Sequence, residues 1–251
     1  MEDLFSSSIV FIFGLTIGSF LNSVIYRLEK GKNIIIGRSF CPECNHTLGW
    51  QDLIPIFSFV FLKGKCRYCL KPISLQYPLV EIATASLFFL IFRFQLSAFH
   101  YLLSTFLIVI FVYDLKHYLI PDKVIYPAIA TVILYQLFTT RALMPLVLGF
   151  WFGILPSLFF LAIVLLSKER WMGLGDFKLA VLMGLLLGWP SILAALFLAF
   201  FSGAIIGVSL IVSGRKTLKS ELPFGPFLIV GTIISLLWGQ DIIYWYLNIL
   251  T

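Results

Sequence analysis

The sequence predicts an all-α polytopic membrane bundle, on three observations. Hydrophobic residues fill 60% of the 251 positions and charged residues only 12%, against roughly 25% charged in soluble domains. The mean hydropathy is +1.01. Apolar runs recur along almost the whole chain, and several are long enough to cross a hydrocarbon core of about 30 Å. In lipid, backbone amides must be satisfied within their own segment, so such runs are helices. The shorter segments of strictly alternating polarity that a membrane β-barrel needs do not occur.

About eight spans are expected, at residues 9–26, 79–94, 99–113, 124–138, 143–166, 179–189, 191–212 and 226–238. With eight crossings, every lysine and arginine except Arg93 and Arg141 falls on one side. That side is the cytosolic one, which turns both termini outward. The net charge of +6 is therefore a topology signal, and no nucleic-acid partner is expected. The first span opens with Glu2 and Asp3 in place of a basic region and shows no small-residue cleavage site, while Arg27 stops transfer. It is expected to stay as a helix rather than be removed as a leader. The division expected is a first transmembrane helix (1–27), a cytosolic loop (28–77) and a transmembrane core (78–251). Gly14/Gly18, Gly149/Gly153, Gly184/Gly188 and Gly203/Gly207 have the spacing of packing surfaces for close helix pairs.

The loop is the one long polar interruption, and it holds all four cysteines. Cys41-Pro-Glu-Cys44 and Cys66-Arg-Tyr-Cys69 are two CxxC pairs separated by 21 residues. Cysteines three positions apart direct both sulfurs at one ion, and two such pairs complete a tetrahedral zinc shell. Disulfides or free thiols are the alternatives, and a reducing cytosol disfavours disulfides. A four-sulfur shell leaves no position for water, so this zinc would fold the loop and leave catalysis to other residues.

Carboxylates at membrane depth are costly and default to function. Asp114 closes the apolar run 102–113, at the cytosolic end of its span. Asp176 stands in Met172-Gly-Leu-Gly-Asp-Phe-Lys178 at the entry of the sixth span, where two glycines permit close backbone approach. Both are expected at one depth on one face, although 62 positions separate them. Two carboxylates brought together share one proton. The ionised member then activates water while the protonated one polarises a carbonyl. Taken singly, Asp114 also reads as a helix-end charge beside Lys116 or His117, and Asp176 as a loop acid or N-cap. Asp122 after Pro121, and Glu81 after Pro78, have helix-start explanations and are ranked as structural or as supports of the dyad from behind. His46, His100 and His117 form no HExxH pair, and no GxSxG motif occurs.

Several stretches in order resemble the type IV prepilin leader peptidases, bacterial membrane aspartic proteases of the GxGD kind. They are Gly18-Ser-Phe-Leu-Asn-Ser-Val-Ile-Tyr-Arg27, the cysteine loop with Arg38-Ser-Phe-Cys41, Gly64-Lys-Cys-Arg67 and Tyr77-Pro-Leu-Val-Glu81, then Asp114 with Leu119-Ile-Pro-Asp122. Gly173-Leu-Gly-Asp-Phe-Lys178 and Pro223-Phe-Gly-Pro226 complete the series. One position departs: Ser23 follows Asn22 where a small apolar residue is usual. The resemblance implies that Asp114 and Asp176 are the catalytic dyad, in a multi-pass protein of the bacterial inner membrane. It implies prepilin or pseudopilin substrates with a short basic leader, cut after a glycine at the cytosolic face. It also implies a second activity, N-methylation of the new terminus with S-adenosylmethionine, associated with the cysteine loop; no donor-binding residue is assigned. Membrane lipids are the other expected partner. The competing readings are an ion-coupled transporter using the intramembrane carboxylates and a zinc-knuckle assembly scaffold.

Overall fold

The computed structural model describes residues 2–33, 37–139, 143–169, 172–217 and 220–250. Arg141, Arg170 and Lys219, all counted in the charge asymmetry, lie outside the described residues. Among those described, nine α-helices follow one another: α1 (Glu2–Glu29), α2 (Phe57–Phe61), α3 (Gln76–Arg93), α4 (Ala98–His117), α5 (Asp122–Thr139), α6 (Leu143–Ser167), α7 (Leu174–Leu187), α8 (Ser191–Val212) and α9 (Gly225–Leu250). Two isolated β-bridges, both in the cysteine loop, are the only extended pairing among them.

Each expected span falls on a helix, with differences at the ends that have local causes. The second span begins earlier than its apolar run, at Gln76, because Pro78 sits in the first turn, where its missing N–H has no intrahelical partner to lose. The sixth stops at Leu187, two residues early: Gly188, at φ 63°, caps it. The last runs well past Trp238 to Leu250, since Gly239, Gln240 and Asp241 end the apolar run without ending the helix.

Among the described residues, four helices are long and apolar enough to cross a membrane: Phe5–Glu29, Ala98–His117, Ser191–Val212 and Gly225–Ile249. Three others are shorter or more polar. Helix α3 carries Glu81 and Arg93, and α5 opens on Asp122 and Lys123. Helix α7 has 14 residues, about 21 Å at 1.5 Å per residue.

The chain divides into two units, Met1–Val109 and Ile110–Thr251, with α4 contributing its first part to one and its last turns to the other. In the first unit α1 packs on α3 at backbone range. A Cβ on Gly14 would stand 2.6 Å from Ala85 Cα, and one on Gly18 would stand 2.6 Å from Glu81 Cα. Asn22 continues this register by donating to the Tyr77 carbonyl at 3.0 Å. Arg27 is buried, donating to the Gly37 carbonyl at 2.6 Å. It therefore anchors the loop as well as ending the apolar run.

In the second unit α7 is the axis, packed against α5, α6, α8 and α9. Leu179, Leu182, Met183 and Leu185 are at most 2% exposed. Helix α8 lies on α9, where Gly231 meets the Ala195 carbonyl. Its other side is apolar and open, with Phe197, Phe201, Val208 and Val212 all exposed.

The glycine pairs divide accordingly. Gly14/Gly18 brings two backbones together, while Gly203 and Gly207 make room at 3.5 Å for the side chains of Phe227 and Leu222. Gly188 is a correction: it has nothing within 4 Å of a built Cβ and caps α7 instead of packing. Gly149 and Gly153 lie outside the residues whose surroundings are described.

Candidate active site and metal centre

The cysteine loop is built from two copies of one local device. Cys41 N–H bonds the His46 carbonyl at 2.9 Å while Asn45 N–H returns to the Cys41 carbonyl at 2.9 Å. Cys66 repeats this with Lys71 at 2.9 Å and Leu70 at 3.0 Å. The turn residue is left-handed in both, Asn45 at φ 55° and Leu70 at φ 58°. Each copy closes on an isolated bridge, Phe40 with Thr47 and Lys65 with Pro72. The sequence shows no such repeat beyond the CxxC pairs, because hydrogen-bond geometry repeats here while most side chains do not.

The two knuckles meet through Glu43 and Lys71 at 2.5 Å and through the His46 and Tyr68 rings, 3.7 Å apart. Asp52 ties the second knuckle to the neighbouring turn, accepting from Arg67 at 2.7 Å and from Tyr68 at 3.2 Å. All four cysteines are free thiols, and the sulfurs of Cys41, Cys44, Cys66 and Cys69 lie within 4.8 Å of one another. Sulfurs about 2.3 Å from a tetrahedral zinc stand about 3.8 Å apart; Cys41 and Cys69 are 3.9 Å apart. The donor set fits zinc.

The carboxylate site lies wholly in the second unit. Asp114 occupies the last turn of α4, 4% exposed. The chain turns directly after it, with Tyr118 at φ 56° returning its N–H to the Asp114 carbonyl at 2.9 Å. Asp176 is in the first turn of α7, its N–H bonded to the Gly173 carbonyl at 3.2 Å. Asp176 is close enough to Asp114 to feel its charge. Fold topology has therefore brought together the two carboxylates that the sequence marks.

Two residues set this geometry. Ile120, 6% exposed, lies 3.0 Å from where a Gly175 Cβ would stand and 3.5 Å from the same point on Gly225. It is a wedge between the starts of α7 and α9. Gly225 brings backbone against the acid: a Cβ there would stand 2.5 Å from Asp114 Oδ2. The Gly225 amide bonds the carboxylate, yet Oδ2 accepts no hydrogen bond from the protein. A buried oxygen so placed calls for a proton or a water. Neither Ile120 nor Gly225 is marked by the residue-level reading; only the LIPD and PFGP stretches of the resemblance contain them.

The lower-ranked acids have structural partners. Asp122 opens α5 and pairs with Lys178 at 2.5 Å, and Lys178 Nζ also lies 4.9 Å from the Tyr126 ring centre. The residue two positions after Asp176 is thereby fastened to the start of α5. Glu81, 6% exposed, accepts the Ile56 N–H at 2.7 Å.

Comparison with known proteins bears on the whole chain. Residues 12–94 match the family model of the bacterial peptidase A24 N-terminal domain, and residues 101–208 match that of the type IV leader peptidase family. A prepilin leader peptidase/N-methyltransferase of Aeromonas hydrophila is 36% identical over 274 residues, covering 96% of this chain and 93% of its own length. One of Bacillus subtilis (strain 168) is 35% identical over 249 residues, covering 96% and 98%. One of Pseudomonas aeruginosa is 34% identical, covering 94% and 92%. No solved structure matches. Two family models met in chain order, and relatives aligned nearly end to end, make the chain a member of the type IV leader peptidase family.

Proposed function

We propose that this protein removes the basic leader from type IV prepilins or pseudopilins by aspartate-dyad hydrolysis, with Asp114 and Asp176 as the catalytic pair. The observation that carries the reading is their meeting at the helix-end cluster of α4, α7 and α9, in a chain of this family. One carboxylate, ionised, takes a proton from water as the water oxygen attacks the scissile carbonyl carbon. The other, protonated, donates to the carbonyl oxygen, and a proton then passes to the leaving amine. The Gly225 amide steadies Asp114 and leaves Oδ2 buried and without a protein partner, the natural place for the shared proton. An ion-transport role gains nothing from these relatives.

The membrane placement proposed is eight crossings in the bacterial inner membrane with both termini outside, which sets the cysteine loop and the dyad on the cytosolic side. A substrate with a basic leader ahead of an apolar helix presents its junction at that surface. Cys41, Cys44, Cys66 and Cys69 would hold one structural zinc, which supplies cross-linking of the two knuckles and no open coordination site. The relatives' names include N-methylation. We propose the same second activity here, with S-adenosylmethionine as methyl donor and no residue assigned to it.

The test is co-expression with a prepilin, followed by mass spectrometry of its N-terminus. Wild type should yield the cut, methylated product, and Asp114→Asn or Asp176→Asn the intact precursor at unchanged enzyme abundance. Complete cleavage by either variant refutes the dyad.

A further inference from the structure

Residues 53–62 read Leu-Ile-Pro-Ile-Phe-Ser-Phe-Val-Phe-Leu, without a charge. By position they belong to the loop between the knuckles, which the charge pattern assigns to the cytosol. Their placement in the first unit says otherwise. The Ile56 N–H is bonded at 2.7 Å to Glu81, a buried carboxylate that also takes the Ser19 hydroxyl. Glu81 lies beside Gly18 in the α1–α3 pair, one turn deeper than the Asn22–Tyr77 contact. Gly18 is nine residues before Arg27, about 13 Å along the helix axis. The short reach of a glutamate side chain recovers only part of that depth. The start of α2 is therefore held inside the level of Arg27, at membrane depth.

What the segment shows to its surroundings fits this position. Phe57, Val60 and Phe61 recur at i, i+3 and i+4, one face of a helix, and are 60%, 64% and 81% exposed. Trp50, also exposed, precedes the segment, and Lys63 and Lys65 follow it. Aromatic and basic flanks belong to the level of lipid headgroups. Ile56 holds φ 59°, an unfavoured conformation for a β-branched residue. Its bond to Glu81 fixes that bend at the entry of α2, and left-handed Lys63 and Gly64 turn the chain after the helix's single turn.

We propose that residues 53–62 form a re-entrant wedge that inserts the Phe57, Val60 and Phe61 face among the acyl chains of the cytosolic leaflet, docking the metal-binding loop on a phospholipid bilayer. Anionic headgroups meet Lys63 and Lys65. Glu81 is the positioning residue, since it sets how deep the wedge enters.

The experiment uses the full chain in vesicles of phosphatidylethanolamine and phosphatidylglycerol, with p-benzoylphenylalanine placed at Phe61 or, as a control, at exposed Glu43. Irradiation and mass spectrometry should find phospholipid adducts at Phe61 and not at Glu43. Adducts at Phe61 to protein alone, whether another polypeptide or a second copy, overturn the proposal, as does equal lipid labelling at the two sites. A second reading compares tryptic cutting after Lys63 and Lys65 in vesicles with the cytosolic face outward. Phe57→Ser/Phe61→Ser should be cut several-fold faster than wild type at undiminished zinc content, and unchanged cutting counts against insertion. Neither measurement involves prepilin, so a failed dyad and a failed wedge are told apart.

Discussion

In the cysteine loop each knuckle is closed by bonds spanning four or five residues, Asn45 to Cys41 and Cys41 to His46. At the carboxylate site, Asp114 and Asp176 stand 62 positions apart and approach each other where Ile120 and Gly225 bring helix ends together. The first assembly is local and duplicated, and its pieces are joined by cross-contacts such as Glu43 with Lys71. The second has no local cause. A perturbation in the loop is therefore expected to spread through the module, whereas one at the carboxylates acts on a single group.

The strongest way to break this contrast is at the acids. Asp114→Asn and Asp176→Asn should each lower leader cleavage by at least ~10²-fold, the low end for loss of an acid or base, while inserted protein stays constant by immunoblot. Next comes Gly225→Ala, whose methyl would stand 2.5 Å from Asp114 Oδ2. An overpacking cost of about 1–3 kcal/mol falls on the geometry of the acid, and a roughly tenfold slower cleavage rate is the expected reading. Third, Cys41→Ser or Cys66→Ser should lose bound zinc by elemental analysis and make the loop protease-sensitive, with a smaller loss of cleavage than Gly225→Ala produces. Immediate loss of cleavage on chelation in a folded enzyme, with instant rescue by zinc, would erase the distinction between the two regions. Smallest is Asp122→Asn, which breaks a solvent-facing pair with Lys178. Such pairs contribute about 0.2–1 kcal/mol, so Tm should drop by no more than ~4 °C.

The same contrast explains what was legible in the sequence. Helices follow from apolar runs, and the cysteine cluster follows from CxxC spacing, because both signals are local. The pairing of Asp114 with Asp176 is suggested by depth and face alone, and the motif resemblance sharpens it. The partners of these acids stay hidden, since no pattern distinguishes Gly225 from any helix-start glycine or Ile120 from any loop isoleucine. Two readings needed structure for a different reason. The depth of residues 53–62 depends on the Ile56–Glu81 bond across a gap of 25 positions, and the span ending at Leu187 depends on the backbone angle at Gly188.

The brevity of α7 has a consequence for lipid. A 14-residue rod falls about 9 Å short of the hydrocarbon thickness, which would oblige surrounding acyl chains to compress around it. Helices α5, α6, α8 and α9 enclose it, so few acyl chains touch it and the mismatch goes unfelt. Thickness matching is left to α8 and α9, and the start of α7 is free to be placed by its packing on Ile120 instead of by lipid. Turnover should accordingly vary little between short-chain and long-chain phospholipids, whereas extending α7 by one turn ahead of Gly173 would disturb the Gly175–Ile120 contact that seats its acid.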